Sequence, residues 1–545
     1  MTPGKTTGAL FLLAVIFRIL YLFLYPPDGA DHEMMHMAVQ NLLSGNGLGF
    51  YVANPADLSV TSFHAMNEWP PFAAYLLSVV KAMTGSGYAA DMIVLGLGMF
   101  LLLVVVRALM QVLQLTHNTQ SVLWIIIGSN PEPFRNPGIT DLYGALFLIW
   151  GALLAIRLLQ QPASSNRQVL VASLFFFLPA AFRYHYYPLI FIYPVLLLIA
   201  ARLGKQKLLY RQASLSLSVV FFLLTAQITW LKQLTGTTPF MAEPITGLYP
   251  ENLLWAYPFL VKSFVNASPI EYQLISVAGT WSLMLFYAVV FFITCFLCIK
   301  IMVHLLRNVW LVRFSSMWEE KQRPAWTDLM MGVVSMSVVA LLLTGSLLHD
   351  FPKQVDGGYG GAHLYESRNF LASSLLLLLL TFSLLQRIPL DFRLLSVKPA
   401  LVRRMALAAL LVMNLSVFGN LWSHGSSRPP TYFNDNLLAE RQLVEQKIRE
   451  LKEKYQVPVV VTASQKYFAY QPVLSDFAIV QDYEEVLTSG IKSSQPVQLL
   501  LITRKQLSDK ELQFIYQKGA VQVYSGKRCR MYHLVTDREK HIATL

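Results

Sequence analysis

Apolar runs long enough to cross about 30 Å of hydrocarbon, separated by short polar breaks, fill the chain as far as Trp422. Gly8 to Tyr25 is apolar except for Arg18, and no small-residue cleavage site follows it, so it reads as a retained signal anchor. Further spanning helices are predicted near 89–112, 119–134, 141–160, 168–184, 187–202, 212–230, 277–303, 327–348, 367–386 and 402–422, about eleven in all. Pro70 to Thr84 is too short to span and opens on Pro-Pro, so it is expected to lie in the membrane interface as an amphipathic helix. Beyond His424 the pattern changes. Arg441 to Lys454 has helical periodicity, and Val457 to Thr462, Gln498 to Thr503, Ala520 to Tyr524 and Arg530 to Val535 read as short strands. The fold class expected is an α-helical polytopic membrane protein with a C-terminal α/β domain. The domains are 1–423, including a first external loop over 26–88, and 424–545.

Composition agrees with this pattern. Hydrophobic residues make up 55% of the chain and charged residues 14%, against roughly a quarter charged in soluble proteins. The net charge of +12 follows from Lys and Arg collecting on cytoplasmic loops, and it argues against nucleic acid as a partner. Arg202, Lys205, Lys207 and Arg211, and likewise Arg387, Arg393, Lys398, Arg403 and Arg404, fall on alternate loops, while the other loops hold far fewer. That bias puts the N-terminus in the cytoplasm and the C-terminal domain on the periplasmic or extracellular side. Three cysteines form no disulfide framework, and Cys295 and Cys298 sit one turn apart in an apolar run as small hydrophobes.

The first external loop is acidic. It carries Asp28, Asp31, Glu33, Asp57 and Glu68 with His32, His36 and His64. Charge of one sign beside a bilayer must be solvated, paired or bound to metal. Asp31 opens a short helix that a Ser-Gly-Asn-Gly turn ends, and a helix cap is the plain alternative for it. On the same side, Arg183 in Phe-Arg-Tyr-His-Tyr-Tyr and Arg368 in Tyr-Glu-Ser-Arg-Asn stand at helix mouths, where they either pair with an anion or snorkel to the interface. Tyr184 follows Arg183 as a substrate contact, and His185 as a substrate contact or as part of an aromatic belt. Lys353 and Tyr359 lie on a Gly-rich loop, Asp356-Gly-Gly-Tyr-Gly-Gly, suited to a mobile lid. The acidic loop offers hard and imidazole ligands at no diagnostic spacing, so a divalent cation, Mg or Mn, stays open. If one binds, Asp31, Glu33 and Asp141 are its expected ligands.

An Asp after the first span, a helix ending in Leu-Leu-Ser-Gly-Asn-Gly, and then Trp69-Pro70-Pro71 leading an interfacial helix resembles the integral membrane GT-C glycosyltransferases. Within that group the order is most similar to the branch of protein O-mannosyltransferases and the aminoarabinose transferase of lipid A. The resemblance implies a polyprenyl-phosphate-linked sugar donor and a glycan, lipid or protein acceptor at the outer face of the bacterial cell membrane. It also implies an inverting reaction with Asp31 as base or acceptor-orienting group and Asp141 of Gly-Ile-Thr-Asp-Leu-Tyr as the second acid. Asp31-His-Glu33 stands where the family carries an Asp-Glu pair, so Glu33 is a candidate too. Such a transfer needs a base for the acceptor and cations for the departing phosphate. Arg183 and Arg368 are candidates for the clamp, with Tyr184, His185, His36, Lys353 and Tyr359 as substrate contacts. A lipid or solute transporter, or flippase, is the rival reading, and acids at the external mouth rather than the midplane argue against it. A non-catalytic membrane anchor leaves the acidic loop unexplained.

Overall fold

The computed structural model describes residues 3–24, 30–66, 69–130, 134, 138–161, 165–204, 207–236, 247–249, 323–348, 371–387, 435–454, 457–463, 478–480, 491–503, 507–526 and 530–536, with scattered positions between 282 and 307 and at 412. The chain divides into two compact units. One comprises Met1–Phe23, Leu95–Gln233 and Thr237–Trp422, and the other Leu24–Val94, Leu234–Gly236 and Ser423–Leu545.

The first unit is helical. Its described elements are α1 (Pro3–Leu24), most of α4 (Gly87–Val112), α5 (His117–Ser129), α6 (Ile139–Leu159), α7 (Asn166–Phe182), a 3-10 helix (Tyr184–Phe191), α8 (Ile192–Gly204), α9 (Lys207–Thr235), α10 (Arg323–Leu348) and α11 (Leu371–Arg387). Five helical stretches among the described residues are long and apolar enough to cross a membrane: Gly87–Val112, Ile139–Leu159, Tyr184–Leu203, Lys207–Thr235 and Pro324–Gly345. The expected span at 119–134 is realised as α5, only 13 residues long. The one at 168–184 becomes the 17-residue α7, which stops at Arg183. Most of the expected span at 277–303 and nearly all of that at 402–422 lie outside the described residues.

Polar side chains inside this unit bind helix ends. Arg18 is fully buried and donates from Nη1 to the Asn130 carbonyl at 3.0 Å and from Nη2 to the Gly128 carbonyl at 2.7 Å. These are C-terminal carbonyls of α5, which have no partner within their own helix. A Cβ on Gly128 would stand 3.1 Å from the Ala14 Cβ, so the small residue lets α1 reach those carbonyls. Asp328 on α10 is buried, pairs with Arg387 at the end of α11 and accepts from the Ser383 hydroxyl at 3.0 Å. A lone carboxylate there would be costly to desolvate, and the pairing removes that cost.

The second unit is built on a sheet of seven strands in the order β2-β1-β4-β3-β5-β7-β6. Five strands come from the C-terminal region: β3 (Val459–Ala463), β4 (Ala478–Val480), β5 (Gln498–Thr503), β6 (Val521–Ser525) and β7 (Arg530–Val535). The other two, β1 (Gly49–Asn54) and β2 (Asp57–Ala65), form a hairpin in the first loop, where only helices were expected. Tyr51 and Val52 of β1 lie parallel to Ala478 and Ile479 of β4. Asp57 secures the junction. Its Oδ1 accepts from the amides of Ser59 at 3.0 Å and Ser494 at 2.9 Å, and these donors, the Ser494 ones foremost, hold its carboxyl well below the usual carboxylate range.

Apolar layers cover both faces of the sheet. On one, Met34 and Met37 of α2 (Ala30–Leu43) join Val444, Ile448 and Leu451 of α12 (Asp435–Lys454) over Phe50, Val461, Ile479 and Leu500. On the other, Phe514 and Ile515 of α13 (Asp509–Gln517) cover Leu58, Val460, Leu499 and Tyr532. All six residues of β5 are buried, as a central strand with two covered faces requires. A hydrogen-bonded sheet cannot straddle a bilayer. The seven strands β1 to β7 therefore lie on one side of the membrane.

Candidate active site

In the first unit the sequence candidates Asp141, Arg183 and His185 come together. Asp141 lies in the first turn of α6, where the helix dipole favours a carboxylate, and is 3% exposed. Arg183 ends α7 in extended backbone (φ −152°, ψ 125°), and its amide still donates to the Pro179 carbonyl at 2.9 Å. This break turns the guanidinium onto Asp141, with which it forms an ion pair. The Arg183 Nε donates to His185 Nδ1 at 2.9 Å. An accepting Nδ1 leaves the proton of a neutral imidazole on Nε2, and that buried Nε2 has no partner among the described residues. The result is a charged and a neutral donor side by side, with the arginine oriented by a buried carboxylate.

Aromatic packing holds this arrangement. A Cβ on Gly144 would fall 2.5 Å from Tyr186, so α6 must be glycine where that ring crosses it, one turn beyond Asp141. Tyr143 stacks on Phe182 at 5.3 Å between ring centres, and Tyr184 on Tyr187 at 5.8 Å. Tyr184, the substrate contact expected from the sequence, thus packs on Tyr187.

In the second unit α2 carries the first-loop candidates. Asp31 lies in its first turn and Glu33 two residues on, with side chains outside the described set. His36 is buried and reaches Asp91 of α4, with Nε2 2.7 Å from Oδ2, and His32 Nε2 lies 2.9 Å from the same oxygen. Asp91 was not anticipated. Its signal was available, because it is an isolated acid inside an apolar run. At the other end of α2 the buried Asn41 donates to the Gly49 carbonyl at 2.7 Å. Gly45 at φ +81° and Gly47 at φ +96° take left-handed conformations, while a Cβ on Gly49 would fall 2.1 Å from the His64 carbonyl oxygen. The Gly-x-Gly motif is therefore a structural device that swings the chain from α2 into β1. Lys353, Tyr359 and Arg368 lie outside the described residues.

By sequence, no family profile and no characterised protein matches the chain. By structure it is similar to ArnT from Cupriavidus metallidurans in the apo state, with a TM-score of 0.58 at 11% identity over 97% of this chain and 98% of that one. It is also similar to ArnT from the same organism bound to undecaprenyl phosphate, with a TM-score of 0.55 at 11% identity over 98% of each chain. The fold is that of the GT-C glycosyltransferases. A third GT-C structure, the oligosaccharyltransferase AglB from Archaeoglobus fulgidus in complex with an inhibitory peptide and a dolichol-phosphate, aligns at a TM-score of 0.48 and 10% identity over 91% of this chain and 69% of that one. This GT-C fold, near its ArnT branch, agrees with the resemblance drawn from the order of motifs. The Asp141 and Arg183 pair lies within its helical unit, and the acidic loop within the unit that carries the sheet.

Proposed function

We propose that the protein is a glycosyltransferase that moves a sugar from a polyprenyl phosphate to an acceptor at the outer face of the bacterial cell membrane, with the sheet unit on that face. The observation that carries this reading is the Arg183 and His185 donor pair, oriented by Asp141, in a fold that ArnT shares from end to end and in which ArnT binds undecaprenyl phosphate. In the reaction the acceptor's nucleophilic atom attacks the anomeric carbon. Its proton passes to a base, the bond from that carbon to the phosphate oxygen breaks, and the phosphate leaves on the carrier lipid. A single displacement of this kind inverts the anomeric centre. Asp31 is the base or acceptor-orienting carboxylate, with Glu33 beside it. Arg183 and His185 stabilise the charge gathering on the departing phosphate, the largest electrostatic demand of the step. Arg368, Lys353, Tyr359 and Tyr184 complete the donor contacts, while His36 is held by Asp91 rather than offered to the substrate.

The test is sugar transfer from a panel of undecaprenyl-phosphate-linked radiolabelled hexoses and pentoses in proteoliposomes. Asp31→Asn keeps shape and capping ability but has almost no basicity, so turnover should fall by about 10²- to 10⁴-fold. Asp28→Asn, three residues earlier, should be far milder. Near-normal transfer by both variants would return Asp31 to the role of a helix cap.

A further inference from the structure

Among the described residues one group of His and Asp side chains converges closely enough to hold a metal ion, and it is not the acid-rich set expected from the sequence. His32 and His36 lie four residues apart and so share one face of α2. Asp91 lies in the second turn of α4. His32 Nε2 and His36 Nε2 stand 2.9 and 2.7 Å from Asp91 Oδ2 and 3.1 Å from each other. Three potential ligand atoms thus form a small triangle. Asp91 Oδ1 is buried beside it without a partner among the described residues. Hydrogen bonding alone accounts poorly for this geometry, because both imidazoles spend the same nitrogen on one oxygen while the second oxygen goes unused.

We infer that His32, His36 and Asp91 bind one divalent ion of the zinc class, which ties α2 to α4. A triangle with sides of 2.7, 2.9 and 3.1 Å leaves a point about 2 Å from all three corners, the usual length of zinc bonds to His nitrogen and carboxylate oxygen. Two imidazoles and one carboxylate suit zinc, whereas Mg and Ca take shells of oxygen. Side-chain exposures of 11%, 6% and 8% for His32, His36 and Asp91 leave the site largely shielded, and three protein ligands leave a fourth position for water or a substrate oxygen. A Cβ on Gly87 would stand 3.1 Å from His36 Nδ1, so the glycine at the start of α4 lets this ring approach. Asp31 immediately precedes His32, so the ion would fix the backbone beside the proposed base. That positioning role rests on the proposed function, while metal binding does not.

The experiment uses the full chain, purified in detergent, stripped with a chelator and titrated with Zn²⁺, with bound zinc measured by mass spectrometry and by competition with a chromogenic chelator. Wild type should take up one zinc per chain, and millimolar Mg²⁺ should not displace it. His36→Gln should weaken binding by about 100-fold or more. His32→Cys should retain binding, because a thiolate ligates zinc although it replaces a hydrogen-bonding imidazole poorly. Zinc should also raise the thermal midpoint of wild type and not that of His36→Gln. Absence of zinc uptake by wild type would overturn the inference without reference to any variant, as would equal uptake by wild type and the His32→Gln, His36→Gln double variant. Intact zinc binding without sugar transfer would overturn only the proposed function.

Discussion

Each unit of the molecule buries a carboxylate near the start of a long apolar helix, and the two are satisfied in opposite ways. Asp141 faces a guanidinium, which is always charged, so the pair is permanent and serves to aim Arg183. Asp91 faces two imidazoles, which ligate metals as readily as they hydrogen-bond, and so forms a site able to take a metal. The partner, more than the acid, decides whether a buried charge is scaffold or equipment.

The most drastic break of this comparison would separate the two halves of the sheet unit. Ser62→Cys on β2 and Lys510→Cys on α13, both at exposed positions, share one side of the membrane if the hairpin and the C-terminal strands form one sheet. In a background lacking Cys295, Cys298 and Cys529, a membrane-impermeant thiol reagent should label both or neither in sealed, right-side-out cells. Labelling of one alone would contradict the shared sheet.

Next in size is the contrast between the two acids. Asp141→Asn strips the counter-charge from Arg183 and should cost about 3 kcal/mol of stability. Asp91→Asn in metal-free protein leaves an amide that neutral imidazoles can still bond, and should cost about 1–2 kcal/mol. Thermal unfolding in detergent reads both, and equal losses would erase the distinction.

The smallest effect is a dependence on pH. His533 of β7 is buried, and burial first, then the Lys454 charge, pushes its pKa below the usual value. The unfolded chain therefore takes up a proton near pH 6.5 that the folded sheet refuses, so stability is full above that pH and falls as the pH drops below it. His533→Gln, which can still bond the Gln498 amide, should flatten the thermal midpoint between pH 7 and pH 5.

Much of this was legible in the chain. Helical runs at 89–112 and 141–160 match α4 and α6 within a few residues, because an unbroken apolar run has few other solutions. The four later strands read from alternation match β3, β5, β6 and β7. The β1–β2 hairpin was not read, since its parallel partner β4 lies more than 400 residues away and no local pattern announces such a pairing. Arg183 was seen as a cation at a helix mouth, but its ion pair with Asp141 depends on where α7 stops, which Pro179 and the 3-10 helix decide. His32 and His36 were visible at helical spacing, while Asp91 was absorbed into a predicted span, and only the packing of α2 against α4 brings the three together.

The proposed transfer requires the carrier phosphate to meet Arg183. Binding of undecaprenyl phosphate to the purified protein, measured by native mass spectrometry, should show one lipid per chain on wild type. It should weaken by about tenfold in Arg183→Lys, which keeps the charge and loses the fork, and vanish in Arg183→Ala. Undiminished binding by Arg183→Ala, or none by wild type, would contradict it.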